Sequence, residues 1–130
     1  MGRPRSPHPT PMELEALRIL WDRGPSTVRE VSDALPRDRA YTSVMSLLNV
    51  MFDKKLVARD TDELAYRYTA RLKPERTQRQ MLGDLLDRAF EGSAIALVAR
   101  LLEQAKPTSE ELDAIHDLIE EHQRRKENDE

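Results

Sequence analysis

At 130 residues with 38% apolar side chains, the chain has room for one buried core and an oligomerisation arm, but not for two full domains. It has no cysteine, which excludes disulfides, thiolate metal sites and cysteine nucleophiles together, and its 4 glycines are too few for a glycine-rich phosphate loop. The formal net charge of -3 hides a split at Lys73: residues 1–73 carry 13 Lys+Arg against 10 Asp+Glu, whereas residues 74–130 carry 8 against 14, so only the first part suits a polyanion.

The opening MGRPRSPHPTP is rich in Pro and Arg and predicts a disordered arm over residues 1–10, with Arg3 and Arg5 available to a polyanion. It holds no apolar stretch of the kind that directs secretion, and no apolar run approaches the roughly 18 residues of a membrane span, so a soluble, cytoplasmic protein is expected. Thr10-Pro11-Met12-Glu13 then combines an N-cap, a proline at the first helical position and a Glu three residues on, which starts a helix. Leu14, Leu17, Leu20 and Trp21 keep helical spacing to about Arg23, where Gly24-Pro25 offers a left-handed cap and then a residue that cannot continue. Trp21 is expected in the core. Thr27-Val28-Arg29-Glu30 repeats the capping pattern and opens a short helix, with Val28, Val31 and Leu35 on one side, that closes at Pro36.

The spacing of Val44, Leu47, Leu48, Met51 and Phe52 predicts a third helix over residues 41–55 with one buried face. Its other face carries Thr42, Ser43, Ser46, Asn49 and Asp53, short polar groups instead of the Glu/Lys mixture usual on a solvated helix. LVARD and LAYRYTA, separated by Thr61-Asp62-Glu63, have strand composition and predict a hairpin over residues 56–70. Within it Arg67 alternates with Tyr66 and Tyr68, so the tyrosines are expected to pack on helix three and Arg67 to project away. Three short helices and a hairpin form the order of a winged helix-turn-helix, here over residues 11–72, with the hairpin as the wing.

In a helix-turn-helix the third helix of this arrangement lies in the major groove of DNA. Tyr41, Thr42, Ser43, Ser46 and Asn49 are therefore candidates for reading bases: hydroxyls can bond bases or phosphates, a threonine methyl can pack on thymine, and Asn can pair two-pronged with adenine. No Arg faces the groove from this helix, which limits guanine reading. Arg37, Arg39, Lys54, Lys55, Arg59 and Arg67 fall at helix ends or in the wing, where phosphate contact is expected.

Residues 73–130 predict a helical dimerisation arm. A helix from Lys73-Pro74-Glu75 presents Leu82, Leu85, Leu86 and Phe90 and stops near Gly92. A second, from Ser93 to Pro107, presents Ile95, Val98, Leu101 and Leu102. A third, from Thr108-Ser109-Glu110-Glu111, presents Leu112, Ile115 and Ile119, and the charged tail QRRKENDE is expected to fray. Each helix has one apolar stripe and no further element to cover it, so the three are expected to interlock with those of a second copy. The fold class is thus mostly α with a small β-hairpin. No enzyme, metal or cofactor is expected: His8 lies in the arm, and His116 and His122 are six apart, where four would put two ligands on one helix face.

Two stretches, PTPMELEALRILWDRGPSTVREVSDAL and AYTSVMSLLNVMFDKKLVARDTDELAYRYTA, resemble the DNA-binding half of the penicillinase-repressor family, the BlaI/MecI type. The resemblance is continuous over roughly Thr10 to Ala70 and weaker to about His122. It implies a winged-helix repressor that dimerises through its C-terminal helices and binds a two-fold symmetric double-stranded DNA operator. Tyr41, Thr42, Ser43 and Ser46 match the start of the family's recognition helix, Asn49 its asparagine and Arg67 its wing arginine. Three positions depart: Val50-Met51 replace the usual Arg-Leu, Lys55 replaces a glycine, and Glu63-Leu64 replace a Gly-Arg in the wing. Copper-responsive members carry a C-terminal cysteine cluster that this chain lacks. Antibiotic-responsive members imply a further partner, a membrane sensor-protease whose action inactivates the repressor, but Val98-Ala99-Arg100-Leu101-Leu102 lacks the Asn-Phe bond typical of that cleavage. The alternative is a winged-helix protein-interaction module without sequence-specific DNA binding, kept open by the lack of Arg in helix three.

Overall fold

A computed structural model of the chain describes residues 8–36, 39–62 and 65–129. The elements run α1 (Pro11–Arg23), α2 (Val28–Ala34), α3 (Tyr41–Asp53), β1 (Val57–Asp62), β2 (Ala65–Ala70), α4 (Pro74–Phe90), α5 (Ala94–Ala105) and α6 (Ser109–Asp129), mostly helix with one antiparallel hairpin. The chain divides into two compact units, Met1–Gly83 and Asp84–Glu130. Arg3, Arg5, Arg37 and the pair Glu63-Leu64 lie outside the described residues.

In the first unit both predicted capping boxes close. Thr10 Oγ1 accepts from Glu13 N at 3.2 Å while Glu13 Oε1 accepts from Thr10 N at 2.8 Å, and Thr27 and Glu30 repeat the exchange at 3.2 and 3.3 Å. Each box satisfies helix N–H groups that would otherwise have no partner within the helix. Gly24, at φ 83°, ends α1 and donates to Leu20 O at 2.8 Å. Leu35 leaves the helical region at ψ 140°, as the ring of the following Pro36 demands. At the end of α3, Lys55 takes φ 65°, which brings Leu56 N to Met51 O at 2.9 Å and turns the chain into the wing.

The core of this unit collects Leu17 and Leu20 from α1, Val28 and Val31 from α2, Val44, Leu48 and Met51 from α3, and Leu56, Val57 and Tyr68 from the hairpin. Complete burial of one such side chain stabilises the fold by about 1.5–3 kcal/mol, so α3 is held along its whole inner face. Strand pairing runs from Val57↔Ala70 to Asp62↔Ala65, which makes Thr61 and Asp62 strand residues although their composition reads as loop. A bridge that the sequence does not announce joins Ser26 to Tyr68, through backbone bonds of 3.0 and 2.7 Å. Trp21 is half-buried: it packs against the edge of the core, and its indole N–H donates to Leu72 O at 2.8 Å at the exit from the wing.

α4 exposes Leu82 and Leu85, while Leu86 and Phe90 are half-buried. In the second unit Ser93 caps α5 by accepting from Ala96 N at 3.2 Å, and Thr108 and Glu111 form a box at the start of α6. Neither α5 nor α6 has a buried residue, and Ile95 and Leu118 are 82% and 64% exposed. α6 continues to Asp129, so the tail read as frayed is helical. Its Gln, Arg, Lys and Glu are good helix formers, and Arg125 pairs with Glu121 one turn back at 2.7 Å.

Candidate nucleic-acid interface

The helical period that buries Val44, Leu48 and Met51 turns Thr42, Ser46, Asn49 and Asp53 outward, and Tyr41 and Ser43 are exposed beside them. Ala40, the N-cap of α3, has no side chain to cap with, so no side-chain cap bond closes the first turn, where Ser43 N–H donates to Ala40 O at 2.9 Å. A groove of about 430 Å³ lies between this face, the start of α2 and the second wing strand. Arg29, Tyr41, Met45, Asn49 and Tyr66 are among the residues that line it.

The basic residues divide into two groups. Lys55 and Arg67 are exposed, and Arg67 Nη1 lies 3.5 Å from Glu30 Oε1 with both side chains nearly half exposed. The Glu30 carboxyl is held below its ordinary 4.5 first by the Thr27 backbone N–H, then by the Thr27 hydroxyl; desolvation opposes them, and Arg67 and Arg23 each add a smaller attraction. Arg59 is half-buried: its guanidinium stacks 3.9 Å from the Phe52 ring centroid and 4.6 Å from that of Tyr66, and its Nη1 donates to Asn49 Oδ1 at 3.2 Å.

Two expected phosphate contacts turn inward instead. Lys54 Nζ sits 2.7 Å from Glu13 Oε1 and 3.2 Å from His8 O, with the Lys54 and Glu13 side chains 7% and 3% exposed. Lys54 follows Met51 by three and so continues the buried face; the spacing carried that signal, but the charge obscured it. Arg39 Nη2 lies 3.7 Å from Glu15 Oε2 with only 14% of its side chain exposed. Arg37 lies outside the described residues.

Arg29, which charge counting alone did not single out, is exposed with its guanidinium 5.4 Å from the Tyr41 ring centroid. Its position two residues after the Thr27 cap, on the side away from Val28 and Val31, was readable. Tyr68 is buried with its hydroxyl donating to Asn49 Oδ1 at 3.3 Å, whereas Tyr66 is 45% exposed, so only one of the two tyrosines packs inward. Among the described residues no group of three His, Cys, Asp or Glu could hold a metal ion, and no helix is long and apolar enough to cross a membrane.

Comparison with known proteins adds three findings. The family model described as Penicillinase repressor matches residues 9–121. Transcriptional regulator BlaI from two strains of Mycobacterium tuberculosis, CDC 1551 / Oshkosh and H37Rv, is 43% identical over 60 residues, a stretch that spans 44% of this chain and 44% of that protein. Two solved structures align over most of the chain: a MarR family protein from Bacillus stearothermophilus (24% identity, 90% of this chain and 74% of that one, TM-score 0.48) and transcriptional regulator Tm0710 from Thermotoga maritima (19%, 93%, 78%, TM-score 0.48).

Proposed function

The chain belongs to the penicillinase repressor family, whose members are transcriptional regulators and not enzymes, and from that premise we propose that it represses transcription as a homodimer on a two-fold symmetric operator. The observation that carries the reading is the exposed stripe of short polar side chains on α3, flanked by exposed cations on α2 and the wing. Tyr41, Thr42, Ser43 and Ser46 meet base edges in the major groove, and Arg29, Lys55 and Arg67 meet phosphates on either side. Residues 11–72 bind DNA and residues 73–130 dimerise, with the exposed apolar side chains of α4, α5 and α6 as the contact. Leu82, Leu85, Val98, Leu101, Leu102, Leu112 and Ile119, each at least 37% exposed, are its main candidates, with the half-buried Leu86, Phe90 and Ile115 beneath them. Two recognition helices so paired read half-sites about 10 bp apart, centre to centre. The proposed location is the cytoplasm, and no cofactor is required.

The test is a gel-shift titration against the DNA upstream of the chain's own gene, at two salt concentrations with random DNA as competitor. Specific, salt-sensitive binding by two protomers is the expected result. Binding no better than to random DNA would favour the protein-interaction module, a reading that gains from the inward turn of Lys54 and Arg39, which leaves fewer cations around α3. Inactivation by a membrane sensor-protease belongs to the same proposal, and a chain left intact by that protease would remove it.

A further inference from the structure

Asn49 is exposed on the face that the proposed function turns toward DNA, yet its carbonyl oxygen is already committed. Oδ1 accepts from Arg59 Nη1 at 3.2 Å and from the Tyr68 hydroxyl at 3.3 Å. The assignment of oxygen and nitrogen in this amide is settled by chemistry, because a guanidinium can only donate, so the atom it meets must be the acceptor. A carbonyl oxygen has two lone pairs, and both are used here. A two-pronged contact with adenine needs that same oxygen to accept from the base N6 while the amide nitrogen donates to N7. The oxygen cannot serve both purposes without giving up the wing.

The two donors come from one rung of the hairpin. Arg59 and Tyr68 are directly paired across the strands, so their side chains leave the sheet on the same face and converge on Asn49. Each is fixed from another side as well. Arg59 lies between the Phe52 and Tyr66 rings, and Tyr68 is 1% exposed with its backbone bridged to Ser26. Phe52 belongs to α3, Arg59 to β1 and Tyr66 to β2, so the stack and the hydrogen bonds join the same three elements.

We infer that Asn49 is a positioning residue that fixes the wing against the recognition helix, and that it offers DNA only the N–H groups of its amide, so it tolerates any acceptor edge (purine N7, guanine O6 or thymine O4) and does not select adenine. The inference rests on the DNA-binding reading, and its test separates the two. Wild-type protein is first used to select duplexes from a random pool; failure to enrich any sequence would overturn the DNA-binding reading itself. With enriched duplexes in hand, Asn49→Ala is expected to lose on the order of tenfold in affinity for enriched and random duplexes alike, with the salt slope shallower by about 1 as the Arg67 phosphate contact of the wing is lost. Its ranking of bases should stay that of the wild type. Tyr68→Phe, which removes one donor and leaves Asn49 in place, should reproduce the uniform loss and the shallower slope. In the DNA-free protein, Asn49→Asp keeps both acceptor positions and should keep the wing amides protected from hydrogen exchange, whereas Asn49→Ala should not. Loss of discrimination at a single A·T pair in Asn49→Ala, with salt slope and wing protection unchanged, would overturn the inference, as would a Tyr68→Phe protein that binds like wild type.

Discussion

Lys54 and Arg67 are both cations of the first unit, and their surroundings assign them opposite tasks. Lys54 neutralises the buried Glu13 carboxylate, which also accepts from Thr10 N, so Lys54→Ala strands a charge inside the protein. Breaking such a pair costs about 3 kcal/mol; urea unfolding should register that loss, while the salt dependence of DNA binding by the folded fraction stays as it was. Arg67→Ala should do the reverse, sparing stability and flattening the salt slope by about 1. Lys55 is a third case, held at φ 65° where a side chain crowds the backbone. Lys55→Gly should raise the unfolding free energy of the free protein by about 1 kcal/mol, read from the urea midpoint, even as it removes a cation from the proposed interface.

At the scale of elements, α2 is only seven residues long and depends on its cap. Thr27→Ala should destabilise the unit by about 1 kcal/mol. It should also let the Glu30 carboxyl drift part of the way back toward 4.5, since it removes the Thr27 hydroxyl, the second cause of the depression, and keeps the backbone N–H of residue 27, the first. A carboxyl held low in the folded state contributes its stability in full above about 4.5 and loses it as the pH falls through the folded value, so an NMR titration of Glu30 in the two proteins checks both magnitude and sign. Caps of this kind are legible in the amino-acid sequence because Thr-x-x-Glu is local, and so are the stop at Gly24 and the apolar face of α3. The partners of the charged residues are not. Glu13 and Lys54 are 41 positions apart, and nothing near either announces the other. The same holds for Ser26 with Tyr68 and for Asn49 with the rung above it. A sequence shows that a polar group sits at the rim of a helix face, but what it meets there is decided by which elements pack alongside.

For the whole molecule, the second unit leaves several large apolar side chains in water, which the proposed dimer would cover. Ile95, Leu101, Leu118 and Ile119 are each at least half exposed. Sedimentation equilibrium should give twice the mass of the chain, and Leu85→Glu combined with Leu101→Glu should give the single-chain mass with the circular dichroism of α1 to α3 retained. A single-chain mass for the wild type would remove the dimer from the proposal.

The rung that carries Arg59 and Tyr68 is the third of the six pairs counted from the foot of the hairpin. Mechanically the wing is therefore a beam clamped part-way along its length, and only the span beyond the clamp can flex. The stiffness of a beam rises steeply as its free span shortens, so the root of the wing moves with α3 as one piece, and the free span is the three pairs from Asp60↔Arg67 to Asp62↔Ala65. In the proposed complex with DNA, that span follows a phosphate backbone whose groove width varies from one stretch to another, without disturbing the register of the helix it is fastened to.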